Sequence, residues 1–238
     1  MPGNETEVGT EIRRVPRFRY LIDIVALVAV LIGLEIGINA LYVPATLRSQ
    51  FVFGAAAQLI VVGIVWLLIR LRGERLADIG LKRPKSWGRA FLIGLGIAAV
   101  VFVLMYVSEK AGFRRDLTRF KMVQGNLGLT VYGVFYALIG AGFYEEFMFR
   151  GFLFQGFAML FGGNRWAWIA ANVGQAALFG AAHAYQNPLG MAITGTLGAL
   201  LGFLVLASGR NLWPVIIGHG LYDASRFVLF YFQGPPLG

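Results

Sequence analysis

The chain has only two histidines in 238 residues, and both lie in apolar runs beside acidic side chains. His183 closes the run LFGAAH, His219 sits in VIIGHGLYD, and a third apolar run, FYEEFMFR, carries the adjacent Glu145 and Glu146. An acidic side chain at the centre of a bilayer costs about 2.5–3.5 kcal/mol on insertion scales, so ionisable groups kept there serve chemistry, transport or a proton relay. Glu146 precedes Arg150 by four residues, one helical turn, and the two can neutralise each other. Glu145 is left without a local partner, which makes it the better candidate for a working carboxylate, a general base. Phe179 stands one turn before His183 and would wall its imidazole on the same face. Asp223 stands one turn after His219 and can orient that ring and fix its tautomer. Taken singly, each pair has a plainer reading as a staple between helices, with Arg226 as a rival partner for Asp223. Taken together, with both histidines used, they point to one site.

The elements that must position these residues are membrane helices. Apolar residues make up 58% of the chain and charged residues 14%, at a mean hydropathy of +0.68, which excludes an ordinary soluble domain. Apolar windows of spanning length fall at about 20–42, 51–70, 90–107, 127–162, 166–184, 189–207 and 212–232, the fourth long enough for one overlong helix or two shorter pieces. No alternating strand pattern of a β-barrel is present, so helices are left to satisfy the backbone in lipid. The expected fold is all-α: a polytopic transmembrane bundle of about 7–8 helices. It comprises an N-terminal arm over 1–19, one integral-membrane domain over 20–232 with its catalytic core at about 127–226, and a short tail over 233–238. Short connectors at 162–165, 185–188 and 208–211 imply antiparallel neighbours. Counted from the turn at Gly162, Glu145 and His183 reach similar depth, roughly 25–30 Å at 1.5 Å per residue. His219 lies only about 10 Å into its own helix and approaches from the other membrane face, so tilt or kinking must close a gap.

A net charge of +9 invites a nucleic-acid partner, but the basic residues sit in the N-terminal arm (Arg13, Arg14, Arg17, Arg19) and in the loops at 70–89 and 108–126. Positive-inside bias explains them more simply and places the N-terminus in the cytoplasm, although the 108–126 loop with its five basic residues then falls on the opposite side. The expectation is a multi-pass protein of the lipid bilayer with no nucleic-acid partner. The N-terminus reads as an anchored first helix and not as a cleaved signal, and the sequon at Asn4 would be silent in the cytoplasm. Without cysteine there is neither a disulfide framework nor a thiolate metal site. Asp23 is expected near the membrane interface. Glu35, mid-helix beside Asn39, has no assigned role.

Glu145-Glu146-x-x-x-Arg150, Phe179-x-x-x-His183 and His219-x-x-x-Asp223, in that order on successive apolar helices, resemble the CPBP family, the CAAX protease and bacteriocin-processing (Abi) group that includes the Ras-converting CAAX endopeptidase. The flanking FRGFLFQGF and NLWPVIIGHGLYD agree, and the likeness runs over roughly 74–226. The third motif commonly ends in Asn in that family, and Asp is a familiar variant. The resemblance implies peptide-bond hydrolysis within the membrane on a peptide or prenylated-protein substrate. It makes Glu145 the general base, His183 a holder of the water and His219 a donor to the oxyanion oriented by Asp223, with Glu146, Arg150 and Phe179 as supports. No cofactor is required by that scheme. A competing version adds a divalent metal such as zinc on His183, His219 and Glu145, although the compact H-E-x-x-H spacing is absent. From a different class, a non-catalytic scaffold or a proton-coupled transporter would also keep buried Glu and His. Against transport, the sequence shows no inverted repeat.

Overall fold

A computed structural model describes residues 15–40 and 47–236, so the sequon at Asn4, Arg13 and Arg14 lie outside the described residues. Among those described there is no strand. The helices are α1 (Arg17–Ala40), α2 (Leu47–Leu71), α3 (Trp87–Lys110), α4 (Leu127–Tyr136), α5 (Phe154–Leu160), α6 (Arg165–Ala182), α7 (Asn187–Ala207) and α8 (Trp213–Gln233). Each expected apolar window falls on a helix. The overlong fourth is a single continuous rod, Leu127–Leu160, in which α4 and α5 are joined by π-helical turns over Ala137–Leu153. Five of the described helices are long and apolar enough to cross a membrane, α1, α2, α3, the α4–α5 rod and α7. The protein is a helical membrane protein. Large apolar side chains such as Ile36, Leu59 and Leu92 point outward on α1, α2 and α3, as lipid-facing residues do.

Local chemistry sets the helix ends. Ser86, Asn126 and Asn164 cap α3, α4 and α6 by accepting from the backbone N–H three residues on, at 3.2, 3.0 and 2.9 Å. Pro214 opens α8, where its missing N–H costs nothing. Gly162 and Gly163 both take positive φ, +104° and +73°, and reverse the chain between α5 and α6 where the sequence reading placed the turn.

The connectors sort to two ends of the bundle. Arg17 lies against Gly162, and the loop after α2 meets the loop before α8 through Leu212 N–H donating to Gly80 O at 3.0 Å, so these segments share one end. At the other end the 111–126 loop is held by Asp116 N–H to Gln186 O at 3.1 Å and by Gly125 N–H to Tyr231 O at 2.9 Å. Asp23 belongs to the first end, as expected from its position, but it is fully buried and does not reach water. It pairs with Arg19 and Arg72 at 3.2 Å each, and Arg72 continues to Glu74 at 2.8 Å, which ties the foot of α1 to the loop after α2. The buried Asp23 and Arg72, with the partly exposed Arg19 and Glu74, thus neutralise one another where snorkelling would have been the alternative.

Small residues let the site-bearing helices approach. A Cβ on Gly142, in the π-helical stretch, would lie 2.9 Å from both Gly220 Cα and Ile216 O on α8. A Cβ on Gly180 of α6 would lie 2.7 Å from Met191 O on α7. Close backbone contact of this kind drives helix association in lipid, where hydrophobic burial gives little. Side-chain amides add to the α6–α7 contact: Asn172 donates to Ala199 O at 3.0 Å, and Gln175 to Gly198 O at 3.1 Å. Gly142→Ala is expected to cost about 1–3 kcal/mol by forcing α8 off the π-helical stretch. Thermal unfolding in detergent checks it, and an unchanged midpoint would mean that the crossing is looser than its geometry.

Candidate active site

The four side chains expected to do chemistry meet on the wall of one cavity of about 940 Å³. Glu145 comes from the π-helical stretch, His183 from the C-terminal end of α6, and His219 and Asp223 from α8. The cavity extends to the end of the bundle that carries the 111–126 loop, through Arg115, Arg119, Tyr185 and Gln186. Leu31, Glu35, Gly54 and Gln58 of α1 and α2 also line it, which gives Glu35 its place. The side chain of Asn39 lies outside what is described.

Glu145 and Glu146 are adjacent in sequence and differ in every contact. Glu146 is completely buried, and its Oε1 forms an ion pair with Arg150 Nη1 at 2.9 Å and accepts from His219 Nδ1 at 2.8 Å. Arg150 in turn lies 4.0 Å above the ring of Phe179, which packs at 4.7 Å against the imidazole of His183. Glu146, Arg150 and Phe179 therefore form one support joining three helices. Glu145 is only partly buried, lines the cavity, and its Oε2 has no hydrogen-bond partner among the described residues.

The two imidazoles are oriented by acceptors. His183 Nδ1 lies 2.8 Å from Phe179 O, and a carbonyl can only accept, so Nδ1 carries the hydrogen and Nε2 is left as an acceptor when the ring is neutral. His219 donates from Nδ1 to Glu146, which turns Nε2 toward Asp223, whose Oδ2 lies 3.6 Å away. That distance is ion-pair range and too long for a hydrogen bond. The sequence spacing singles out Asp223 as the orienting carboxylate; in the structure the closer one is Glu146, 73 residues away on another helix. The rival partner of Asp223 is otherwise engaged: Arg226 donates to Glu109 on α3 at 2.8 Å.

His219 does not approach from the other membrane face as helix counting placed it, since the loop before α8 and the Gly162 turn share one end of the bundle; two features narrow the difference in depth that remains. A π turn holds more residues than an α turn and advances less per residue, so Glu145 and Glu146 lie nearer the Gly162 end than 1.5 Å per residue allows. The Gly142–Gly220 contact then brings α8 against that stretch directly beside His219.

Three histidine or acidic side chains that could hold a metal ion together do not occur among the described residues. Of the nitrogens a zinc ion would need, His219 Nδ1 is taken by Glu146 and His183 Nδ1 by Phe179 O, so Nε2 of each ring is what remains toward the cavity.

Residues 125–225 match the family model described as type II CAAX prenyl endopeptidase Rce1-like. Over these residues the chain resembles the CAAX protease family. The match spans less than half of the chain, yet it contains Glu145, Glu146, Arg150, Phe179, His183, His219 and Asp223. The matched segment is thus α4 through most of α8, while α1–α3 and the 111–124 loop complete the cavity from outside it. No curated protein and no solved structure matches the chain. Sequence reasoning passed over Arg115 and Tyr222, which share this wall; the five basic residues of the Arg115 loop were visible, but only as a charge count against the membrane topology.

Proposed function

We propose that the chain is an intramembrane endopeptidase that hydrolyses a peptide bond with water activated by Glu145. The observation that supports the reading is the difference between the paired glutamates: Glu146 is held behind the wall, its Oε1 engaged by Arg150 and His219, and Glu145 lines the cavity with an Oε2 that has no hydrogen-bond partner among the described residues. A water between Glu145 and His183 Nε2 gives one proton to the Glu145 carboxylate as its oxygen attacks the scissile carbonyl carbon. The carbonyl oxygen becomes an oxyanion, to which His219 donates from Nε2 when its ring carries both protons. The C–N bond then breaks, and the leaving nitrogen takes the proton from Glu145. Asp223, 3.6 Å from Nε2, sets the charge on the ring's cavity side and does not itself donate to the oxyanion.

The substrate class in this reading is a short C-terminal peptide tail on a membrane-associated, prenylated protein, taken from the family's description. No metal takes part in the scheme. The test is cleavage of a fluorogenic farnesylated CAAX peptide by the purified protein in detergent, with and without a strong chelator. Cleavage at the same rate in chelator is the expected result. Loss of activity in chelator with recovery on adding zinc would replace the glutamate scheme by a metal-assisted one. A folded protein inactive on every peptide length and lipid tried would point to a scaffold or a proton-coupled carrier.

A further inference from the structure

The 111–117 loop carries a guanidinium into the cavity that the catalytic scheme leaves unused. Arg115 is 7% exposed and lines the same cavity as Glu145 and His183. Its Nη2 donates to the Tyr222 hydroxyl at 2.9 Å, while its Nε is buried with no partner. No carboxylate among the described residues forms a salt bridge with it: Glu109, engaged by Arg226 at 2.8 Å, and Asp223, facing His219, act on its charge only from farther away. Buried guanidinium groups are normally paired with an acid, because a hydroxyl alone does not repay the loss of hydration. The loop is also held in place where it matters. Asp116 N–H donates to Gln186 O, and Gln186 N–H donates to His183 O at 2.9 Å, so the backbone beside Arg115 is two hydrogen bonds from the proposed water holder. Tyr222 lies on α8 three residues, less than one turn, beyond His219.

We infer that Arg115, set by Tyr222, binds the terminal carboxylate of the peptide tail and so restricts the site to substrates cut close to a free C-terminus. The inference rests on the endopeptidase reading for the identity of the anion. A guanidinium matches a carboxylate with two parallel N–H donors, and Arg115 keeps enough N–H groups beyond the one given to Tyr222 to do so. A short tail, extended at about 3.3–3.6 Å per residue, has His219, Tyr222 and Arg115 on the wall of one cavity to run along.

Binding and cleavage are measured separately, so that the two readings fail differently. A fluorescent farnesylated peptide is titrated, as free acid and as C-terminal amide, into the full chain carrying Glu145→Gln. The same pair is titrated into that protein with Arg115→Gln or Arg115→Lys added, and melting midpoints control for folding. The acid is expected to bind about ten- to a hundredfold tighter than the amide, the range of a charge-assisted bond in a buried site. Arg115→Gln should bring the acid-to-amide ratio close to one, and Arg115→Lys should keep part of it. An acid preference that survives Arg115→Gln, or no preference in the parent protein, overturns the assignment. An acid preference that depends on Arg115, in a protein that cleaves neither peptide without the Glu145 substitution, keeps the carboxylate site and removes the protease reading.

Discussion

Glu145→Gln is expected to lower kcat on a farnesylated peptide by about 10²–10⁴-fold, the usual contribution of a positioned general base, and to leave KM within a small factor. The amide keeps the shape of the carboxylate and takes away its capacity to accept a proton from water. Folding should be untouched, because the Glu145 Oε2 has no hydrogen-bond partner to lose and no guanidinium or imidazole is paired with this side chain. Cleavage assays and thermal unfolding on the same preparation test both halves. Full activity in the variant would move the base to another group, and His183, with Nε2 toward the cavity, is the next one the geometry offers.

Glu146→Ala gives the opposite signature: a protein that is unstable as well as inactive. Removing this carboxylate leaves Arg150, 2% exposed, with its charge uncompensated above Phe179, and breaking one side of a buried pair costs about 3–5 kcal/mol. His219 loses the acceptor at Nδ1 that fixes its ring in the same step. Chemical denaturation in detergent measures the first effect. The paired change Glu146→Leu with Arg150→Met separates the two, since replacing both charges by apolar groups of similar size is often close to neutral. Stability is expected to return in the double variant and activity is not, because the ring of His219 remains unheld. Activity that returns with stability would show that Glu146 serves only to neutralise Arg150.

The paired glutamates mark the division between what is legible in one dimension and what is not. Apolar runs of spanning length, the Gly162-Gly163 reversal and the capping residues Ser86, Asn126 and Asn164 are local signals, and the helices fall where those signals put them. The pairing of Glu146 with Arg150 is local too, one turn along a single helix, and it already left Glu145 as the carboxylate without a partner. The three ordered motifs were enough to single out the family resemblance and every motif residue on or behind the cavity wall. Contacts between helices have no such signature. Nothing in the spacing of His219 announces a bond to Glu146, and the hydropathy of 127–162 is the same whether its turns are α or π. Helix counting therefore put His219 on the wrong face and left a gap in depth that the slower advance of the π turns and the Gly142–Gly220 crossing narrow. Arg226 could be weighed against Asp223 by sequence, but its choice of Glu109 on α3 depends on which helix packs beside α8. Arg115 was one basic residue among five in a loop until the fold buried it. The sequence by itself determined a membrane bundle and the residues able to do chemistry, because hydrophobic run length and the 3.6-residue turn are properties of neighbouring residues. The tertiary structure decided which carboxylate holds the imidazole, which one lines the cavity, and which cation stands there without a paired carboxylate, because each of those depends on the close approach of helices far apart in the chain.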